Sequence, residues 1–140
     1  MVSISKIVFS IPMLITILVT LQFTDGKIVS NVFFNVPSGV RLYITNNITN
    51  TPLGVHCRGD NFDYGFRRIN FGGIYNINFI PFVSTIRSCQ FSWNNEFHNF
   101  DIYVQERDYY TCKKECHWAI NKSGPCMIRQ RQPGCFNWNS

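Results

Sequence analysis

The 140-residue chain lacks the patterns that would assign it to several common classes of protein. Beyond residue 21, no apolar run is long enough to span a bilayer, and no stretch keeps a helical apolar period for three turns. The Gly-x-Ser-x-Gly turn of serine hydrolases and the EF-hand loop are both missing. Acidic residues are few, 8 against 13 Lys and Arg, which gives a formal net charge of +5. The basic residues are scattered and never form a run of five, so nucleic acid is not the expected partner.

The first residues have the pattern of a secretory signal peptide. Lys6 precedes an apolar run over 7–21, and the polar segment "QFTDGK" follows it. The run is shorter than the roughly 20 residues that a membrane-spanning helix needs. Thr24 and Gly26 suit the small-residue positions before a cleavage site. The sequence therefore predicts a signal peptide over 1–26 and a single secreted, extracellular domain over 27–140.

The cysteine content agrees with export. All of the cysteines follow residue 26, and an even number in a small secreted chain indicates disulfide bonds. They are Cys57, Cys89, Cys112, Cys116, Cys126 and Cys135. Two N-glycosylation acceptors, Asn47 in "NIT" and Asn121 in "NKS", fit the same route.

Apolar and polar residues alternate in short segments, which is the pattern of half-buried strands. Turn-forming clusters such as "NNITNTP", "RGDNFD", "NNEFHN" and "NKSGP" separate these segments. The pattern predicts an all-β fold, an antiparallel β-sandwich stapled by disulfides. The residues predicted to face its core are Val40, Leu42 and Ile44; Leu53, Val55 and Cys57; Tyr75, Ile77 and Phe79; Cys89, Phe91 and Trp93; Phe100, Ile102 and Val104; and Cys116, Trp118 and Ile120.

The positions of the cysteines suggest how they pair. Three of them fall on the apolar sides of their predicted strands, and Cys112 precedes the tip of a predicted hairpin, "RDYYTCKKE". Cys112 could pair with any of these three. The pairings favoured are Cys57–Cys116 and Cys89–Cys112, with Cys126–Cys135 closing a loop in a basic C-terminal tail. The CxxxC spacing does not match a structural zinc site. No metal or cofactor is predicted.

Catalysis is not expected, although one alternative stays open. His56, His98 and His117 of a basic secreted protein could cleave RNA by two-histidine acid–base chemistry, if His56 and His117 share an outer face. No recognisable ribonuclease motif surrounds them. Asp60 and Asp63 could supply oxygens to calcium, but an Asx-type turn is the simpler interpretation.

A set of segments in order resembles one known family. They are "VRLYITNN", "LGVHCRGDNFDYGF", "GGIYNINF", "STIRSCQFSW", "FDIYVQERD", "CKKECHWAI" and "SGPC". This set is similar to the plant self-incompatibility S1 family, the S-protein homologues, over roughly residues 36–126. The loop "GDNFDYG" is less acidic than the family pattern, Ser88 replaces a usual aromatic, and Cys135 is an addition to the common core.

The resemblance implies a small β-sandwich that acts as an extracellular ligand and catalyses nothing. Its expected partner is a cell-surface receptor in the pollen plasma membrane, where binding triggers calcium entry and rejection of self pollen. No stable membrane insertion is expected, and the protein is expected to be a monomer. A basic defence-type protein that disrupts microbial membranes is the main alternative, and a ribonuclease the weaker one.

Loops on a rigid sandwich are the natural carriers of recognition. The predicted receptor-binding residues at the hairpin tip are Asp108, Tyr109, Tyr110, Lys113, Lys114 and Glu115. Asp60 and Asp63 in "RGDNFDY" are further candidates, as is the segment "NNEFHN".

Overall fold

The computed structural model describes residues 38–130 and 133–140. The predicted signal peptide and cleavage site lie outside these residues and stay predictions. In the described part of the chain, nine strands and one helix follow one another. They are β1 (Val40–Asn46), β2 (Leu53–Arg58), β3 (Asp63–Ile69), β4 (Ile74–Phe79), β5 (Ile86–Trp93), β6 (Glu96–Val104), α1 (Gln105–Cys112), β7 (Glu115–Asn121), β8 (Gly124–Ile128) and β9 (Gly134–Cys135).

The strands form two sheets. One has five strands in the order β4-β1-β7-β8-β9, and the other has four in the order β3-β2-β5-β6. Neighbouring strands run antiparallel except β1 and β7, which are parallel and are separated along the chain by the whole of the other sheet. The predicted fold class, a disulfide-containing β-sandwich, is confirmed. The parallel pair is a feature that alternation of residues does not indicate.

The two sheets face each other across an apolar core. Phe79 of β4 meets Tyr103 of β6 edge-on, with ring centroids 4.9 Å apart, and Phe100 of β6 meets Trp118 of β7 at 5.3 Å. The residues predicted to face inward are buried, apart from the half-buried Tyr75 and Val104. Burial of these large side chains is the main force that holds the sheets together.

The disulfides correct two of the predicted pairings. The bonds are Cys57–Cys89, Cys112–Cys116 and Cys126–Cys135. Cys57 and Cys89 are directly opposite each other on the paired strands β2 and β5, whereas Cys116 lies in the other sheet. Alternation predicts which face a cysteine occupies but not which strand lies beside it. The Cys126–Cys135 pairing is confirmed.

The segment predicted as a hairpin tip is helical. Residues 105–112 form α1, and a short turn leads into β7 at Glu115. The Cys112–Cys116 bond clips the end of the helix to the start of that strand. In the described part of the chain, no helix has the length and apolar character that crossing a membrane requires.

The described residues after Gly124 are part of the sandwich and not the C-terminal tail predicted from the sequence. Gly124–Ile128 forms β8, and the backbone N–H of Phe136 donates to the carbonyl of Pro125. Asn139 and Ser140 then exchange backbone hydrogen bonds with Asn99 of β6. The segment 136–140 thus joins an edge of one sheet to an edge of the other. The prediction of a tail was wrong because Met127, Phe136 and Trp138 pack against the core.

Candidate interaction surface

Exposed apolar side chains are concentrated at one end of the sandwich, called here the α1 end and formed by residues 59–62, 80–86 and 105–115. Strand pairing brings these segments together. β2 ends and β5 begins at the same end of the sheet, and Ile86 lies opposite Val104, the last residue of β6. The exposed apolar and aromatic side chains here are Phe62, Ile80, Phe82, Val83, Ile86, Tyr109 and Tyr110. Large exposed apolar patches on soluble proteins are often sites of interaction.

The β4–β5 loop presents its apolar residues from a fixed backbone. Thr85 is buried, and its hydroxyl accepts a hydrogen bond of 2.7 Å from the N–H of Phe82. The carbonyl of Thr85 accepts the N–H of Gln105, the first residue of α1, at 2.9 Å. Phe82 is 66% exposed and Val83 93% exposed. The loop and the helix are therefore connected, and two large apolar side chains project from the loop.

Arg87 of β5 links the start of β3 to the core near the α1 end. Its Nε donates to the hydroxyl of Tyr64 at 2.9 Å, and its guanidinium lies 4.7 Å from the centre of the Phe79 ring. Tyr64 in turn meets Phe62 edge-on at 4.8 Å. This chain of contacts fixes the position of Phe62 relative to the core.

Asp108 is predicted as a recognition residue, but in the structure it is inaccessible to a partner. It is completely buried, with 0% exposure. Its carboxylate accepts the backbone N–H of Val104 at 2.8 Å and two bonds of 2.7 Å from the Arg107 guanidinium. The acid satisfies a free donor at the start of α1, so it stabilises the helix. It is a positioning residue and not a contact for a partner.

Arg107 anchors α1 to the body of the sandwich. It donates to the carbonyl of Asp101 at 2.8 Å, and its guanidinium lies 5.0 to 5.3 Å from three ring centres, those of Phe100, Trp118 and Phe136. Stacked and hydrogen-bonded in this way, it joins the helix to both sheets and to the C-terminal segment.

The other predicted residues of this segment are exposed. Tyr109 and Tyr110 lie edge-on to each other at 5.0 Å, and Tyr110 is 82% exposed. Lys113, Lys114 and Glu115 lie in and after the turn that follows the helix, on the solvent side. The structure therefore brings an aromatic pair, two ammonium groups and a carboxylate to the α1 end. Their role in recognition stays a prediction.

The two acids of the β2–β3 segment differ in their surroundings. Asp60 is exposed in the loop. The Asp63 carboxylate accepts the backbone N–H of Gly65 and the ring N–H of His56, both at 2.7 Å. The Gly65 hydrogen bond, with a smaller effect of His56, lowers the pKa of Asp63 below its ordinary value. The hydrogen bond that the Asp63 side chain accepts from the N–H two residues later forms an Asx turn, as the sequence predicted.

One predicted segment lies elsewhere, and one was missed. "NNEFHN" contains the β5–β6 turn, at the opposite end of the sandwich from α1. The β4–β5 loop was not predicted as a recognition segment, although "IPFVSTI" contains four large apolar residues next to a proline, outside any alternating pattern. Apolar residues in a turn are the signal that would have identified it.

The histidines do not form a shared site. His56 lies on the outer side of the four-stranded sheet, beside Asp63. His117 is stacked on Tyr43, on the outer side of the five-stranded sheet, at 4.5 Å. His98 packs against Trp93 and Trp138. Among the described residues, no three His, Cys, Asp or Glu side chains are grouped so that they could hold a metal ion.

Comparisons with known proteins indicate a single family. A family model described as "Plant self-incompatibility protein S1" matches residues 41–138. S-protein homolog 5 of Arabidopsis thaliana is 36% identical over 97 residues, covering 68% of this chain and 74% of that protein. S-protein homolog 19 of the same plant is 36% identical over 107 residues, covering 73% and 78%.

A solved structure has the same fold. It is that of a self-incompatibility protein homologue, from a family described as small, highly stable, secreted proteins from plants. The TM-score is 0.55 at 20% sequence identity, and the match covers 74% of this chain and 96% of that one. The extracellular location predicted from the sequence agrees with that description.

Proposed function

Because the chain belongs to the plant self-incompatibility protein S1 family, we propose that it is a secreted ligand that binds a cell-surface receptor protein through its α1 end. The observation that carries the proposal is the concentration of exposed apolar side chains there, on segments held by partly buried hydrogen bonds. A backbone that is already held in place loses little conformational entropy on binding. A sandwich whose end is fixed in this way is suited to specific recognition.

The charged groups around the apolar residues would supply specificity. Lys113, Lys114 and Glu115 are exposed beside Tyr110. A partner with matching acidic groups would pair with the two ammonium groups, whereas a mismatched one would leave them desolvated and unpaired. Docking would thus depend on the side chains of the partner as well as on apolar area.

Binding, rather than catalysis, is the proposed activity. The separation of the three histidines supports this interpretation, because acid–base cleavage of RNA needs two such groups around one phosphate. We infer a receptor in the pollen plasma membrane as the partner, and calcium entry followed by rejection of self pollen as the response. Both inferences rest on membership of the family.

The proposal is tested with refolded, disulfide-bonded protein on pollen from matching and non-matching plants. Saturable binding, a rise in cytosolic calcium and arrest of tube growth are expected only with matching pollen. Val83→Asp and Tyr110→Ala should each weaken binding about tenfold or more, because both side chains lie in the expected contact area.

Phe71→Ala is the matched control. Phe71 is 50% exposed but lies in the β3–β4 turn, away from the α1 end, so this variant should keep full activity. Absence of saturable binding would refute the ligand proposal. Full activity of both α1-end variants would show that another surface binds the receptor.

A further inference from the structure

The outer side of the four-stranded sheet carries a groove that the proposed function does not use. A depression of about 340 Å³ lies over Gly54 and Ser92, between Phe66 and Phe97. A second, of about 160 Å³, is lined by His56 and other polar residues. His56 lies two residues beyond Gly54 on β2, roughly 7 Å away, so the two depressions adjoin along the strands. Together they are called here the sheet-face groove.

The floor of the groove depends on a glycine. A Cβ at Gly54 would lie 2.9 Å from the ring of Phe66, closer than such contacts allow. Without a side chain there, the hydroxyl of Ser92 and the Phe66 ring can both approach the β2 backbone. Phe66 is 56% exposed and Phe97 is 64% exposed. The groove is therefore a shallow open channel with an aromatic ring on each side.

Hydroxyl and amide side chains also line the groove. Alternation along β5 and β6 directs Ser88, Gln90, Ser92 and Asn99 outward, and Asn94 adds an amide at the β5–β6 turn. These groups both donate and accept hydrogen bonds. A sugar presents the complementary surfaces, since its ring hydroxyls pair with such groups and its C–H faces pack on aromatic rings.

The larger depression carries a positive charge, whereas two carboxylates lie beside the smaller one. Arg68 lines the larger depression, and no carboxylate of the described residues lies within ion-pairing distance of it. Arg58 lines the smaller depression, where Asp63 lies 3.5 Å from it and also contacts His56, and where Ser88 donates a hydrogen bond to Asp101. A guanidinium binds a carboxylate through two parallel N–H donors. A ligand that combined sugar rings with carboxylates would pair with Arg68 and hydrogen-bond to the hydroxyl and amide groups.

We propose that the sheet-face groove binds an acidic oligosaccharide, one built of uronic-acid units. The larger depression lies towards the end of the sandwich opposite α1, because Ser92 and Phe97 flank the β5–β6 turn. A bound saccharide would leave Tyr110 and Val83 free. The inference is thus separate from receptor binding, and it assigns a second ligand to the outer side of the four-stranded sheet.

Isothermal titration with short oligomers of galacturonic acid tests the proposal. The acidic oligomer should bind at physiological ionic strength. Its methyl-esterified form, which lacks the carboxylates, should bind at least tenfold more weakly, and a neutral glucan of equal length should behave like the ester. Arg68→Gln should weaken binding about tenfold, and Phe66→Ala and Phe97→Ala about three- to tenfold each.

Two matched variants control for charge and for loss of a ring. Arg67→Gln removes an arginine whose side chain points to the other side of β3, and Phe71→Ala removes a phenyl outside the groove; both should bind as the unmodified protein does. Thermal unfolding of all variants shows whether they are folded. If either groove phenyl proves necessary for stability, the affinity of Arg68→Gln alone tests the proposal.

Several results would overturn the proposal. They are absence of binding, equal binding of the acidic and esterified oligomers, and equal losses in Arg67→Gln and Arg68→Gln, which would indicate nonspecific attraction to a basic protein. Binding to anionic lipid vesicles with the same dependence on Arg68 would assign the groove to a membrane surface instead. Pollen assays with the groove variants separate this proposal from receptor binding, since their activity should be unchanged.

Discussion

Asp108 is the residue whose position differs most from the one predicted. The sequence places it among exposed turn residues, whereas the structure buries it between the Val104 N–H and the Arg107 guanidinium. An isolated carboxylate could not be buried at this depth; the arginine and the backbone donor make it possible. Its neighbour Glu106 is exposed on the same helix.

Replacing Asp108 by Asn should therefore destabilise the folded protein strongly. The amide cannot accept two charge-assisted bonds, and Arg107 would be left without its counter-ion among three aromatic rings. We expect the free energy of unfolding to fall by roughly 3 kcal/mol, as for other broken buried pairs. Urea denaturation measures the loss, with Glu106→Gln as the control, expected within about 0.5 kcal/mol of the unmodified protein. Similar stabilities of the two variants would contradict the assigned role of Asp108.

Tyr103 gives a prediction about pH. Burial, with a smaller contribution from the Asp108 carboxylate, raises the pKa of Tyr103 from 10.0 to about 12. A group whose pKa is raised by folding contributes stability that is fully present below the unfolded value and is lost as pH rises towards the folded value. Stability should therefore fall between about pH 10 and 12, by up to about 2 kcal/mol from this group.

The Tyr103→Phe variant isolates this effect. It keeps the ring that meets Phe79 but removes the ionisable hydroxyl, which donates to Gln105 at 2.8 Å. Denaturation at pH 8 and pH 11.5 should show a smaller alkaline loss in the variant than in the unmodified protein. Equal alkaline losses would mean that other groups determine the high-pH limit.

At the level of strands and helices, alternation was a reliable guide to burial and a poor guide to neighbours. Leu42, Phe91 and Trp118 are buried, as their positions in the alternating pattern predict, because one face of each strand packs against the core. Pairing of β1 with β7, in parallel, depends on the path of the whole chain and has no local signature. The wrong cysteine pairings follow from the same limit.

Helix α1 was missed for a related reason. It has eight residues, and only Asp108 and Cys112 among them are buried, so it has no apolar stripe of helical period. Its stability comes from tertiary contacts of Arg107 and Asp108 and from the Cys112–Cys116 bond. Short helices held by tertiary contacts are the elements that sequence patterns identify least well. The exposure of the tyrosines and lysines at the α1 end was predicted from the sequence, while their role in recognition stays a prediction.

The disulfides should differ in their contributions to stability. Cys57–Cys89 closes a loop with a sequence separation of 32, and Cys112–Cys116 one of 4. Loop-closure entropy predicts a contribution of about 4 kcal/mol for the first and about 2 kcal/mol for the second. Paired replacement by Ala, followed by urea denaturation, measures each. A larger loss for the Cys112–Cys116 variant would show that its main effect is on the folded helix and not on the unfolded chain.

For the molecule as a whole, different surfaces are available for different tasks. The α1 end presents apolar and cationic side chains, the outer side of the four-stranded sheet presents polar ones with two phenyl rings, and the predicted glycosylation residues Asn47 and Asn121 contact each other at the end opposite α1. Glycans at these two asparagines, if attached, would leave the α1 end uncovered. Their occupancy stays a prediction.

None of the three crosslinks joins one sheet to the other, although all six cysteines lie in the described part of the chain. Each connects positions that the backbone already holds close together, so each can be acquired or discarded during evolution without rearranging the rest. Descendants of such a chain could differ in cysteine number, one pair at a time, while retaining the same architecture. The count of cysteines would then record lineage history more than membership of the fold.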